Sequence, residues 1–244
     1  MPTAKLYHIL DETPTTKRFF FEAIDLKKLN FIPGQFISFE FPIHEKPSKR
    51  VRHFSIASCP NDNNLFEVVI VKKEGGAGTE WLWKQEIGVE IPFTGPSGIM
   101  VMDENKVKNH IFICTGTGVG PFRSMLWDIH NNNIPTGDLI MVFGTRDKQS
   151  MLYVDDMLKL EESLPQMKYL PILSREEING KQGYVHKVYT EVVNDYFKQM
   201  EEGKYNDLDC VFYICGWKDM VKEARANLMA MGFDKKQIKQ EIYE

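Results

Sequence analysis

Hydrophobic and polar positions alternate in short runs over roughly the first hundred residues. KLYHIL (5–10), KRFFFEAI (17–24), QFISFEF (35–41), RHFSIAS (52–58) and LFEVVIVKK (65–73) are rich in β-branched and aromatic residues, which predicts strands. Turn signals separate them: DETPTT (11–16), Pro33-Gly34, EKPS (45–48) and NDNN (61–64). Short strands at this spacing predict an antiparallel barrel or sandwich. One helix-like stretch, TEWLWKQ (79–85), interrupts them, and IPFTGPSG (91–98) returns to strand and turn.

The pattern then changes. DENKVKN (103–109) is polar and reads as a linker, and apolar runs alternate with amphipathic stretches after it. Strands are predicted at 110–114, 139–144, 168–174, 210–216 and 238–244, with helices at 121–132, 150–163, 186–200 and 218–231. Continuous apolar strands between helices indicate a doubly wound parallel α/β sheet. The chain therefore divides into a β-barrel domain, 1–103, and an α/β domain, 109–244.

Composition narrows the classes. The 244 residues carry a net charge of −4, which argues against a nucleic-acid binder. No run approaches the ~18 apolar residues of a membrane span, and MPTAKLYHILDETPTT lacks a signal-peptide core. A cytoplasmic protein is expected. Cys59, Cys114, Cys210 and Cys215 form no C-x-x-C pair, so neither a zinc site nor an iron–sulfur cluster is expected. Cys210 and Cys215 fall on opposite faces of a strand.

Candidate chemistry gathers in the second domain. Between HIFIC and the helix lies TGTGVGPF (115–122). Gly116, Gly118 and Gly120 let a ligand approach the backbone. The helix N-terminus behind them suits a pyrophosphate, with Pro121 at its first position. The spacing is not G-x-G-x-x-G, no acid stands at the expected ribose place, and a ligand-free βα turn reads equally well. Further strands end in Thr145-Arg146, Ser174-Arg175 and Cys215-Gly216. Ligands of open α/β sheets sit at such ends, and arginine there points to a phosphorylated dinucleotide.

PGQFI (33–37), RHFSIAS (52–58), GAGTEWL (76–82), TGPSG (94–98), TGTGVGPFRSML (115–126), SRE (174–176), YICGWKDM (213–220) and EIY (241–243) follow one another in order. Together they resemble the ferredoxin–NADP⁺ reductase family of flavoproteins, from about residue 5 onward. The resemblance implies FAD in the barrel and NADP(H), rather than NAD(H), in the second domain. Arg52 would hold the flavin pyrophosphate, Phe54 the ring, and Ser55 the region of flavin N5. On a strand Arg52 and Phe54 share one face and Ser55 takes the other. The resemblance also draws His53, Val69, Val71, Gly76, Gly78, Thr79 and Thr117 to the flavin. Thr79 is expected to N-cap the helix after GAGT. Gly95 and Gly98 form a structural turn.

For the nucleotide, the resemblance implies pyrophosphate at Gly116, Thr117, Gly118, Gly120 and Pro121. It places the 2′-phosphate at Ser174 and Arg175, with Tyr184 near the adenine and Lys181 beside it; Arg146, at the neighbouring strand end, is a further candidate for the nucleotide. Cys215, Gly216 and Met220 would meet the nicotinamide end. Glu241 is implied as a charged or proton-relaying group and Tyr243 as a ring against the flavin. Plant-type members end on that tyrosine, whereas Glu244 follows it here. The implied activity passes hydride from NADPH to FAD and single electrons on to a ferredoxin or flavodoxin. Lys46, Lys49, Arg50, Lys72 and Lys73 form a basic edge where such an acidic carrier would dock. A monomer with no bound metal is expected. Alternatives are an NADH-dependent reductase component of an oxygenase or hydroxylase, a free flavin reductase, and a non-catalytic flavin subunit of a larger complex.

Overall fold

A computed structural model describes residues 1–103, 107–202 and 209–243. Residues 104–106 of the expected linker and Glu244 lie outside the described residues. The chain forms two compact units, Met1–Met102 with Gly120–Asn131, and Asp103–Val119 with Asn132–Glu244.

In the first unit β1 (Thr3–Thr13), β2 (Thr16–Ala23), β3 (Phe36–Glu40), β4 (Val51–Ser55), β5 (Leu65–Val71) and β6 (Glu90–Ser97) pair in the order β4-β3-β6-β1-β2-β5. Every one of these pairings is antiparallel. The outer strands meet through an Ile56–Val68 bridge and an Ala57 N–H donated to Glu67 O at 2.8 Å. The sheet thereby closes into a barrel and leaves no long open edge. Alternate positions fill it: Phe19, Phe21, Phe39, Phe41, Phe66 and Phe93 are fully buried, with Phe21 and Phe39 ring centroids 4.8 Å apart. Burying each such ring stabilises the barrel by about 1.5–3 kcal/mol.

Two boundaries differ from the sequence reading. DETPTT is not all turn, because Thr13 pairs with Thr16 and the hairpin needs only Pro14 and Thr15. The barrel helix α1 spans Ala77–Trp83 and starts before Thr79.

Helix α2 (Val119–Asn131) contributes its body to this first unit. Arg123 donates to Ala57 O at 2.7 Å and to Glu67 Oε2 at 3.1 Å, and the Ser124 hydroxyl donates to Ser58 O at 2.6 Å. Glu67 also accepts two bonds from Arg18, at 2.6 and 3.2 Å. A carboxylate only 3% exposed is tolerable because two guanidiniums compensate it.

The second unit holds β7 (Asn109–Thr115), β8 (Leu139–Thr145), β9 (Met167–Leu173), β10 (Cys210–Trp217) and β11 (Ile238–Tyr243), all parallel, in the order β11-β10-β7-β8-β9. Helices α3 (Val154–Ser163), α4 (Val185–Glu201) and α5 (Lys218–Ala230) connect them. Val188, Tyr189 and Val193 of α4 and Val221, Ala224 and Leu228 of α5 pack on one face with Ile111, Ile113, Phe212 and Ile214. The helix expected from 150 begins only at Val154, because residues 148–150 form a separate turn capped by Asp147. The chain winds outward from β7 in both directions, so β7 and β10 are the strands between which the winding reverses.

Candidate functional site

In the barrel the candidate residues sit on β4 and the first turn of α1. Arg52 and Phe54 stand opposite Phe39 and Ile37, while His53 and Ser55 stand opposite Ser38 and Phe36. The pleat keeps the two sets on opposite faces. Phe54 packs 6.1 Å from both Phe39 and Phe41. His53 is exposed, with Nδ1 2.7 Å from Ser38 Oγ, and Ser55 is buried. Arg52 donates to Lys49 O at 3.1 Å and Val51 O at 2.7 Å. A Cβ on Gly78 would stand 2.9 Å from Arg52 Cγ and 3.3 Å from Phe41, so glycine lets α1 reach the arginine stem. The structure thus brings Arg52 together with Gly76, Gly78 and Thr79.

Thr79 is not the N-cap. Gly76 holds that position, and the Thr79 hydroxyl donates to Gly76 O and Lys73 O while accepting from Lys73 N–H. The helix starts earlier because this hydroxyl ties the preceding loop down from inside the first turn. The N–H groups of residues 77–79 have no acceptor within the helix. Gly95 (φ +107) and Gly98 (φ +124) close around Phe36. Val69 is buried and Val71 half-buried on β5, and a Cβ on Gly120 would stand 3.1 Å from Val69. Gly120 and Pro121 therefore belong to the barrel unit, apart from Gly116, Thr117 and Gly118. Pro121 is the third helical residue rather than the first, since α2 begins at Val119; its missing N–H still loses no helical bond.

In the second unit the candidates gather where the winding reverses. Gly116 (φ +53) opens a 3₁₀ turn through Gly118, and nothing lies within 4 Å of a Cβ built on Gly116. A Cβ on Gly118 would stand 2.8 Å from the Cys215 carbonyl carbon. Gly216 (φ +151) has Thr115 and Met220 where its side chain would be. Thr115 faces Gly144 and lies beside Gly216 on the neighbouring strands, and its buried hydroxyl has no hydrogen-bond partner among the described residues.

At the ends of β8 and β9, Ser174 N–H donates to Thr145 O and Arg175 N–H to Arg146 O, at 3.0 and 2.9 Å. Gly183 N–H returns to Leu173 O, and Gln182 Nε2 reaches Ser174 O at 3.1 Å. Arg146, Ser174, Arg175 and Tyr184 are thereby brought together. Both arginines are exposed, neither guanidinium makes a hydrogen bond or ion pair among the described residues, and Tyr184 is 70% exposed. Lys181 is otherwise engaged, 2.6 Å from Glu191.

Cys215 pairs in register with Glu241 and with Cys114, and Trp217 with Tyr243. Burial raises the Cys215 thiol well above its ordinary pKa; the Glu241 charge adds to this, and a hydrogen bond from Tyr243 opposes it. Burial, then Cys215, also raises Cys114. Sequence reasoning missed Thr115 and the 55% exposed Trp217. Thr115 was findable as a lone polar residue closing an apolar strand. Of the basic edge, Arg50 is spent on His44 O, Glu45 O and Glu40, leaving Lys46, Lys49, Lys72 and Lys73.

These residues fit the two groups that the sequence implied. Arg52 and the first turn of α1 suit a pyrophosphate. The orphaned Thr115 hydroxyl and the open backbone at Gly116 suit a dinucleotide. No helix among the described residues is long and apolar enough to cross a membrane.

A family model described as the oxidoreductase FAD-binding domain matches residues 3–102, and one for the oxidoreductase NAD-binding domain matches 112–226. The chain is 29% identical over 247 residues to "Ferredoxin--NADP reductase B" of Sorangium cellulosum (strain So ce56), covering 99% of this chain and 97% of that protein. It is 30% identical over 234 residues to "Phenol hydroxylase P5 protein" of Acinetobacter pittii (strain PHEA-2), covering 93% of this chain but only 61% of that protein. A solved ferredoxin-NADP+ reductase from Plasmodium falciparum shares the fold with a TM-score of 0.78 at 21% identity, over 99% of this chain and 95% of that one.

Proposed function

The chain belongs to the ferredoxin–NADP⁺ reductase family of FAD- and NAD(P)-binding oxidoreductases, and from that premise we propose that it draws hydride from NADPH and releases single electrons to a ferredoxin- or flavodoxin-type protein. Residues 1–103 form the flavin domain and 109–244 the nucleotide domain, with the body of α2 lent to the first. When bound, FAD supplies the chemistry that converts a two-electron donor into a one-electron source. Arg52, with the first turn of α1 at Gly76, Gly78 and Thr79, binds its pyrophosphate. Phe54, His53, Ser55, Val69 and Val71 shape its surroundings.

Gly116, Thr117, Gly118, Gly120 and Pro121 receive the nucleotide pyrophosphate. Arg146, Ser174 and Arg175 take the 2′-phosphate, and Tyr184 stacks on the adenine. The observation that carries NADPH over NADH is the pair of unengaged guanidiniums beside Ser174. Cys215, Gly216 and Met220 receive the nicotinamide end. The Cys215 thiol stays protonated there, with Glu241 beside it and Tyr243 hydrogen-bonded to it. Lys46, Lys49, Lys72 and Lys73 steer an acidic carrier. The protein works as a cytoplasmic monomer.

A second reading, a reductase component serving an oxygenase, is favoured by the similarity to the phenol hydroxylase protein. One stopped-flow series separates the two. The FAD-loaded protein should be reduced by NADPH at least about tenfold faster than by NADH, then reoxidised by ferredoxin or flavodoxin. Equal rates with both nucleotides would remove the 2′-phosphate assignment, and failure of both carriers would leave the oxygenase reading.

A further inference from the structure

Three consecutive residues after β9 each bond to the end of β8 or to the turn that follows it. Ser174 N–H donates to Thr145 O at 3.0 Å and Arg175 N–H to Arg146 O at 2.9 Å, while the Glu176 carboxylate accepts from Lys148 N–H at 2.9 Å through Oε2. The first two bonds use backbone and the third a side chain, because the chain after Arg146 curls into the 3₁₀ turn of residues 148–150. The first N–H groups of such a turn have no acceptor inside it. Asp147 Oδ1 accepts from the N–H and hydroxyl of Ser150 at 2.9 and 2.6 Å, and the Thr145 hydroxyl donates to Ser150 O at 3.3 Å. Those bonds tie the turn to its own strand; the bond to Glu176 ties it across to the end of β9. Arg146 and Arg175 both spring from the backbone held in this way, exposed and with no hydrogen bond or ion pair among the described residues. All of these residues belong to one compact unit. A carboxylate next to a phosphate-binding arginine opposes the phosphate through charge alone, so any gain from Glu176 has to come through the bond it accepts.

We propose that Glu176 is a positioning residue for 2′-phosphate recognition: by accepting from Lys148 N–H it holds the two strand-end loops together, so that the guanidiniums of Arg146 and Arg175 meet one phosphate from loops already in place. The inference rests on the reading that Arg146, Ser174 and Arg175 take that phosphate. Guanidinium forks bind phosphate through directional, charge-assisted bonds, which depend on where the fork is held. Loops that must be ordered on binding subtract from affinity. Misplacing binding groups by about 1 Å can cost on the order of a hundredfold. Here two backbone bonds between the loops remain when the side chain is removed, so the loss is smaller. What matters in Glu176 is the acceptor oxygen and not the charge.

Calorimetric titration of the FAD-loaded protein with 2′-AMP, together with kcat/KM for NADPH and NADH, tests this. Glu176→Ala removes charge and acceptor together and should weaken 2′-AMP about fivefold, with a matching rise in the NADPH KM and NADH within about twofold. Glu176→Gln removes the charge but keeps an amide oxygen, and should bind 2′-AMP at least as well as the parent to within about twofold. Glu177 is exposed and makes no hydrogen bond or ion pair among the described residues, so Glu177→Ala reports the loss of a neighbouring acid alone and should not weaken 2′-AMP. Unchanged or tighter 2′-AMP binding by Glu176→Ala would overturn the proposal, and so would equal weakening by Glu176→Ala and Glu176→Gln, or an NADH loss as large as the NADPH loss. Arg175→Ala tests the parent reading separately. If it leaves 2′-AMP binding as it was, the phosphate assignment itself fails, whatever Glu176 does; if it weakens 2′-AMP while Glu176→Ala does not, only the positioning role fails.

Discussion

The two candidate ligand regions are prepared in opposite ways. In the barrel, polar side chains near the site already bond to protein: Arg52 to Lys49 O and Val51 O, Thr79 to Lys73 and Gly76, His53 to Ser38. In the parallel-sheet unit they stand open: Thr115 Oγ1 is buried without a partner, and Arg146 and Arg175 have none among the described residues. A ligand in the first region exchanges one set of bonds for another or adds to a half-used fork. A ligand in the second supplies partners that are missing, and a missing partner is the more expensive condition for a buried group. The barrel region is suited to a resident group that the fold holds in shape. The sheet region is suited to a ligand that comes and goes, whose arrival relieves unsatisfied groups.

The largest expected break in this comparison is Arg175→Ala. Removing an open guanidinium deletes charge-assisted bonds with nothing to replace them, worth about 10- to 100-fold in NADPH affinity. NADH, which lacks the 2′-phosphate, should change by no more than about twofold. Steady-state kcat/KM for the two nucleotides checks this, and parallel losses would mean that Arg175 serves the fold rather than the phosphate. The barrel counterpart is Gly78→Ala. Its Cβ would stand 2.9 Å from Arg52 Cγ, and a flexible stem can move. FAD should then be held about tenfold more weakly, while 2′-AMP binding is untouched. Equilibrium dialysis of the flavin measures it. If FAD affinity holds, Arg52 does not need the close approach that glycine permits.

How much of this was legible in the sequence depended on how local each feature is. Period-two phenylalanines such as Phe19 and Phe21, and the apolar runs HIFIC and LIMVFG, marked strands directly. Boundaries slipped where side chains re-cut a helix: Thr79 bonded backward into its own loop, and Asp147 capped a separate turn ahead of α3. Strand order lay beyond the pattern, because the pairing of Cys114 with Cys215 joins segments far apart in the chain. So the sequence could mark Thr115 as polar but not show that Gly144 and Gly216 flank it. One long-range feature did leave a trace. Glu67 is the sole charge in LFEVVIV, and a charge inside an apolar strand demands a buried partner, which Arg18 and Arg123 supply.

The smallest predicted effect sharpens the comparison most, because it changes sign. Threonine to valine is close to isosteric and removes only the hydroxyl. At Thr79 that hydroxyl accepts from Lys73 N–H at 3.2 Å and donates to Gly76 O at 3.1 Å. Thr79→Val should cost about 1 kcal/mol, the net worth of the bonds that the hydroxyl makes to its own loop. At Thr115 the hydroxyl has no partner to lose among the described residues. Thr115→Val should therefore stabilise the ligand-free protein by about 1 kcal/mol, and valine suits a strand end at least as well. For a chain of this size, 1 kcal/mol moves Tm by about 2–4 °C. Thermal unfolding of the FAD-loaded variants should show Thr79→Val below the parent and Thr115→Val above it. Adding NADP⁺ should narrow or reverse the advantage of Thr115→Val, because the bound nucleotide is the partner that the parent hydroxyl lacks. If both variants lose stability alike, Thr115 already has its partner within the fold, and the contrast between a closed and an open region fails.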